Sequence, residues 1–236
     1  MQTVSLSLFR FGPALDRLWV LGQMGAARLS FMRMPDVGFW KLCGSGTGEG
    51  FTPIPNTAVW AILATWPDEA TARTRVENEA VYRRWRNKAK ESWTLYMAPT
   101  SARGAWSGVS PFMAEGDAGD GPVAALTRAT VKPSVLAKFW GRVPNIEDVI
   151  GDNPDVAFKI GIGEVPWLHQ VTFSIWPDVG SMNSFARESG PHAEAIRAVR
   201  EGAWFKEELY ARFRLLGETG SWGGESPLRN LERIAA

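Results

Sequence analysis

The chain has 236 residues, 45% of them apolar, and a formal net charge of +1. That is enough to bury one substantial core or two fused half-domains, and it excludes a disordered chain. The near-neutral balance argues against a nucleic-acid partner, which needs a concentrated basic face, and a single cysteine precludes an internal disulfide and fits a reducing compartment.

In chain order, Met1–Ser5 lacks a charged stretch leading into an apolar one, and no run approaches the roughly 18 apolar residues of a spanning helix, so a cytoplasmic or peripherally membrane-bound protein is expected. Val4, Leu6, Leu8 and Arg10 alternate with Ser5, Ser7 and Phe9, the period of a strand. Leu15, Leu18 and Trp19 follow at helical spacing. Next come the strand Trp40-Lys41-Leu42-Cys43-Gly44 and a run from Val59 to Trp66 that ends Trp66-Pro67-Asp68. Proline stops a strand ladder and aspartate caps a following helix. Leu95-Tyr96 and Gly104-Ala105-Trp106 close this half.

The same order then repeats. Ala124, Leu126 and Arg128 copy the first strand, and Leu136, Phe139, Trp140 and Val143 copy the helix. Phe158-Lys159-Ile160-Gly161, the run from His169 to Trp176-Pro177-Asp178, Leu209-Tyr210 and Gly220-Ser221-Trp222 complete the copy. Each half reads β-α-β-β-α-β, the ferredoxin-like pattern. The expected fold class is α+β: two ferredoxin-like repeats pressed together as a dimeric-α+β-barrel-like body in one chain, with a central cavity. The expected boundaries are 1–106 for the first repeat, 107–122 for a Gly/Pro-rich linker, 123–222 for the second repeat and 223–236 for a tail. Leu228, Leu231 and Ile234 could form a short closing helix in that tail.

Two histidines exist. His192 follows Ser189-Gly190-Pro191, a helix start, and shares a helical face with Ile196 and Val199. His169 alternates with Val171, Phe173 and Ile175 on a strand face. A lone histidine on an apolar face is more often a core residue than a ligand, and no third ligand at helpful spacing makes a zinc site. Haem needs only one axial residue, with aromatic walls and basic residues for its propionates, and Cys43 is a rival ligand. The glycines from Gly44 to Gly50 lack the spacing of a phosphate cradle and read as a hairpin loop, and no G-x-S-x-G elbow supports a hydrolase. The basic segment Arg83–Lys90 reads as a solvated helix face or, with exposed aromatics beside it, a docking patch for acidic lipid.

The stretches Gly121–Thr130, Lys159–Asp178 and Trp204–Phe213 resemble the spheroidene monooxygenase family, the acyclic carotenoid 2-ketolases of purple phototrophic bacteria, and the likeness runs from Met1 to about Trp222. The resemblance implies a haem enzyme that oxygenates C2 of spheroidene to 2-hydroxy and then 2-keto products, using O2 and reduced ferredoxin. By analogy with haem proteins of the dimeric α+β barrel type it implies His192 as the iron ligand, with His169 or Cys43 as alternatives. Arg128 and His169 become catalytic candidates. Arg10, Arg128 and Arg197 are candidates for haem contact, and Trp19, Trp140, Phe173 and Trp176 for the substrate channel. A location on the cytoplasmic face of the photosynthetic membrane would suit such a substrate. Rival readings on the same barrel are a non-catalytic haem or carotenoid carrier, and a haem dehydratase-like enzyme that needs no electron donor.

Overall fold

A computed structural model describes residues 1–117, 119–141, 155–187 and 204–234. The first half runs β1 (Thr3–Arg10), α1 (Ala14–Arg33), β2 (Trp40–Gly46), β3 (Pro55–Trp66), α2 (Glu69–Asn78), α3 (Ala80–Lys88) and β4 (Glu91–Gly104). The second runs β5 (Val123–Val131), α4 (Leu136–Trp140), β6 (Phe158–Gly163), β7 (His169–Trp176), α5 (Val179–Arg187) and β8 (Phe205–Gly220), and α6 (Arg229–Ile234) ends the described chain. The strands close an antiparallel barrel in the order β1-β3-β2-β6-β7-β5-β8-β4. Each half contributes the ferredoxin-like order, so the two-repeat α+β barrel read from the sequence is the observed fold.

The halves are joined at two seams of unequal length. β4 and β8 pair from Trp93 opposite Gly220 to Gly104 opposite Leu209. β2 and β6 meet only at Gly44 opposite Gly163 and Ser45 opposite Ile162. Near the short seam the hairpin loop after β2 turns through Gly50, which has a positive φ of 98° and lies so close to β6 that a Cβ there would run into the Gly161 carbonyl.

Alternation along the strands sends one side chain in two to the barrel interior. Val4, Leu6 and Leu8 of β1, Ala61 and Leu63 of β3, Trp93, Leu95 and Met97 of β4, Phe173 and Ile175 of β7 and Phe213 of β8 form one buried cluster there. These side chains fill much of the barrel interior, because an eight-stranded barrel is only just wide enough for its own side chains, while a cavity of about 540 Å³ at the Arg10 end reaches the interior residues Val59 and Ile160. Leu228 and, on α6, Leu231 and Ile234 cover one end, as the tail's pattern suggested. Trp106 and Phe112 close the other, Phe112 edge-on to Phe213 at 5.1 Å, and Gln2 holds that segment by bonding Pro111 and Met113.

The two Trp-Pro-Asp turns act as expected. Asp68 Oδ1 accepts the Thr71 N–H at 2.7 Å, and Asp178 Oδ1 accepts that of Ser181 at 2.8 Å, each satisfying an orphan donor of a helix start. The Thr71 backbone N–H holds the Asp68 carboxyl below its ordinary range.

Candidate active site

Polar side chains converge at the barrel end closed by Trp106. Arg128 points inward from β5 and is 1% exposed; its guanidinium pairs with Glu207 and lies 5.7 Å over the Trp106 ring. Glu207 also accepts the backbone N–H groups of Ser107 at 3.0 Å and Gly108 at 2.7 Å. Burial tends to raise its carboxyl, but those N–H groups and Arg128 bring it below the usual range. Trp106 Nε1 donates to Glu164 Oε1 at 2.7 Å, and Lys41 Nζ lies 3.4 Å from the same oxygen. His169 Nδ1 is 3.3 Å from Glu164 Oε2, within ion-pair reach but out of line for a hydrogen bond. Desolvation would push the Glu164 carboxyl up, yet His169, Trp106 and Lys41 outweigh it and hold the pKa at about 2. Cys43 lies fully buried in the interior, and burial, then the Glu164 charge, raise its thiol well above the ordinary value. A thiol so held is a poor thiolate ligand.

The opposite end repeats the chemistry one step shallower. Arg10 pairs with Glu91 at 3.1 Å and lies 4.3 Å over the Trp222 ring, with its side chain 39% exposed. Glu91 and Glu207 stand equally far before Gly104 and Gly220, but Arg10 is opposite Glu91 whereas Thr130 is opposite Glu207. Arg128 therefore occupies the position of Leu8, not of Arg10. The two arginines that look like copies in sequence differ by two residues in depth.

A cleft of about 610 Å³, within the usual size of a small-molecule site, lies outside the barrel over the β2–β6 seam. Leu18, Leu21 and Met24 of α1, Pro53 and Pro55 of the hairpin loop, Trp60, Trp140, Val165 and Trp167 give it mostly apolar walls. Glu164, His169 and Gln170 supply polar groups at its floor, so His169 faces both the cleft and the buried carboxylate. A second cavity of about 540 Å³ at the Arg10 end is more polar, lined by Glu49, Asn56, Lys159 and Asn230 among others.

No protein-family model matches the chain. A spheroidene monooxygenase of Rhodobacter capsulatus is 55% identical over the whole of both chains. The chain belongs to the spheroidene monooxygenase family. A family member from Cereibacter sphaeroides is 57% identical over 97% of this chain and 71% of its own length, and one from Rubrivivax gelatinosus is 34% identical over 93% and 84%. Among solved structures, an aldoxime dehydratase crystallised with butyraldoxime covers 98% of this chain and 85% of its own at a TM-score of 0.66 and 11% identity, which is a likeness of fold.

The stretch Lys159–Asp178, which carried the spheroidene monooxygenase resemblance, forms β6, β7 and the loop between them, and supplies much of the cleft floor. The candidate channel residues are not brought together. Phe173 is inside the barrel, Trp19 packs on Phe11 under α1, and Trp176 packs on Phe185 outside the second sheet. Only Trp140 lines the cleft, where its Nε1 donates to the Trp167 carbonyl at 3.1 Å. His192 and Arg197 lie outside the described residues. Sequence reading missed Glu164 and Glu207 as the acids of the buried cluster. Glu164 had one signal, an isolated acid beside an apolar run, whereas Glu207 stands in the charged run Lys206-Glu207-Glu208 and had none.

Proposed function

We propose that the chain is a haem-dependent monooxygenase that oxygenates C2 of spheroidene and related acyclic carotenoids to 2-hydroxy and 2-keto products, with O2 and reduced ferredoxin. The observation that carries this reading is the full-length 55% identity to the Rhodobacter capsulatus spheroidene monooxygenase.

The outer face of the second sheet is the candidate seat for the haem. Strand register matches Phe9 with Ala129, Trp60 with Gln170, Ile62 with Thr172 and Leu42 with Gly161. The first sheet fills these positions under its helices with bulky apolar side chains, whereas the second has the smaller Ala129, Thr172 and Gly161 and the polar Gln170, with Thr127 exposed and Ala125 half-buried beside them. Haem bound there would supply the binding and activation of O2, which no ordinary side chain can perform. His192 would hold the iron. Arg128 and Arg10 both point into the barrel towards their own carboxylates, so Arg212, which faces outward and donates to Asn183 Oδ1 at 3.1 Å, joins Arg197 as a candidate for the propionates. Gln170 belongs both to this face and to the cleft, and the cleft's apolar walls would orient the polyene and exclude water.

The purified protein should show a Soret band and should turn over spheroidene only with O2 and a reductant. His192→Ala should remove the band, while Cys43→Ser, which alters a buried thiol in the barrel interior, should keep it. Haem-free protein that still turns over would overturn the mechanism, and carotenoid binding without product would reduce the chain to a carrier.

A further inference from the structure

α1 is apolar on both sides. Val20, Ala27 and Phe31 are buried against the first sheet, yet Leu15, Leu18, Leu21, Leu29 and Met32 are each more than half exposed. At 100° per residue these five, with Gly22 and Gly25 among them, fall within an arc of about 120° along a helix about 30 Å long. A helix with two apolar faces is normally covered on both, and nothing among the described residues covers this one. Across the cleft from α1 stand three more exposed apolar side chains, Ile54, Val165 and Trp167. Leu18 and Leu21 belong both to the stripe and to the cleft wall, so the mouth of the cleft opens within an apolar surface.

Basic charge predominates on α1, and the nearby acids Asp36 and Glu49 are paired with Arg75 and Lys159. Arg17, Arg28 and Arg33 lie on α1, and its one acid, Asp16, is held by Lys88 of α3 at 3.1 Å. The basic segment Arg83–Lys90 is not the docking face suggested by its composition. Its Trp85 is fully buried, Arg86 bonds the carbonyls of Val76 and Glu77 at the end of α2, and no exposed aromatic accompanies it among the described residues.

We propose that the outer face of α1, with Ile54, Val165 and Trp167, docks on an anionic lipid surface and seats the cleft mouth against the bilayer. Apolar side chains enter the interface, arginines meet the headgroups, and an apolar substrate passes from lipid to cleft without crossing water. The docking rests on the surface alone, and only the identity of the passenger rests on the proposed carotenoid activity. A second copy on this face would block the mouth and bring two sets of arginines together with no free acid of α1 to pair them.

The test is co-sedimentation of the full chain with phosphatidylcholine vesicles, with and without phosphatidylglycerol, at low and high salt. The wild type should bind the anionic vesicles in a salt-sensitive way. The triple variant Leu15→Glu, Leu29→Glu, Met32→Glu replaces no residue that lines the cleft and should bind at least tenfold more weakly with unchanged circular dichroism. It should keep turnover of detergent-solubilised spheroidene and lose turnover of vesicle-embedded spheroidene. A wild type that stays in the supernatant overturns the proposal, as does a solution dimer that the triple variant splits. If the wild type binds vesicles but never oxygenates solubilised carotenoid, the docking stands and the proposed activity falls.

Discussion

The two four-stranded sheets share a strand order and differ in their outer faces. The first is closed by its own side chains: Phe9 meets Trp85 edge-on at 5.2 Å, Phe31 stacks on Trp40 at 5.1 Å, and Trp66 donates its indole N–H to Ser5. At matching positions the second has Ala129, Gln170, Thr172 and Gly161, and its described outer cluster is small, built on Val123, Trp176, Met182 and Phe185. Among the described residues, the outer face of the second sheet thus carries fewer bulky side chains than that of the first. The barrel ends differ in the same sense, Arg128 sealed inside and Arg10 open to solvent.

The largest expected effect comes from grafting the first face onto the second. Ala129→Phe with Thr172→Ile should leave strand content intact by circular dichroism and abolish the haem band and turnover. Retained haem would place the group elsewhere. Phe9→Ala, a cavity under α3, should cost about 3–5 kcal/mol in denaturant unfolding, whereas Thr127→Ala on the exposed second face should stay within about 0.5 kcal/mol. Arg128→Met should cost about 3 kcal/mol, because it leaves Glu207 and the Trp106 face without their cation.

Glu164 gives a pH signature. Its folded pKa of about 2 lies below the unfolded value near 4.5, so its contribution is fully present above about pH 4.5 and is lost as pH falls towards 2. The loss should be about 2 kcal/mol once partial solvent screening is allowed for, and Glu164→Gln should flatten that part of the stability profile. The smallest effect belongs to Arg10→Met, under about 1 kcal/mol, since its pair with Glu91 is partly solvated. Equal costs for Arg10 and Arg128 would erase the difference between the barrel ends.

The strand order was legible because two punctuation marks, Trp66-Pro67-Asp68 and Trp176-Pro177-Asp178, bound runs of clear period two, and register does set Trp66 and Trp176 at matching points. The depth of Arg128 was not legible. A two-residue slip keeps a side chain on the same face, so alternation alone cannot distinguish Leu8 from Arg10 as its counterpart. α1 shows the complementary failure: Leu15 and Leu18 mark a helix correctly, but with leucines on one side and Val20 and Phe31 on the other the period names no inner face. The two acids were hidden for a third reason. Glu164 meets Trp106 and Glu207 meets Arg128 across 58 and 79 positions of sequence, distances that no local pattern spans.

Unequal seams also give this barrel a preferred place to part. Where β4 and β8 run together the backbone amides should exchange with deuterium only on global unfolding, whereas Ser45 and Ile162, at the brief meeting of β2 and β6, need only a local opening. Gly44, Ser45 and Gly163 floor the cleft, so a transient parting of these two strands would deepen it towards the interior while leaving each four-stranded sheet whole. The short join between duplicated halves then acts as a hinge line, placed under the site where a long, stiff guest would press.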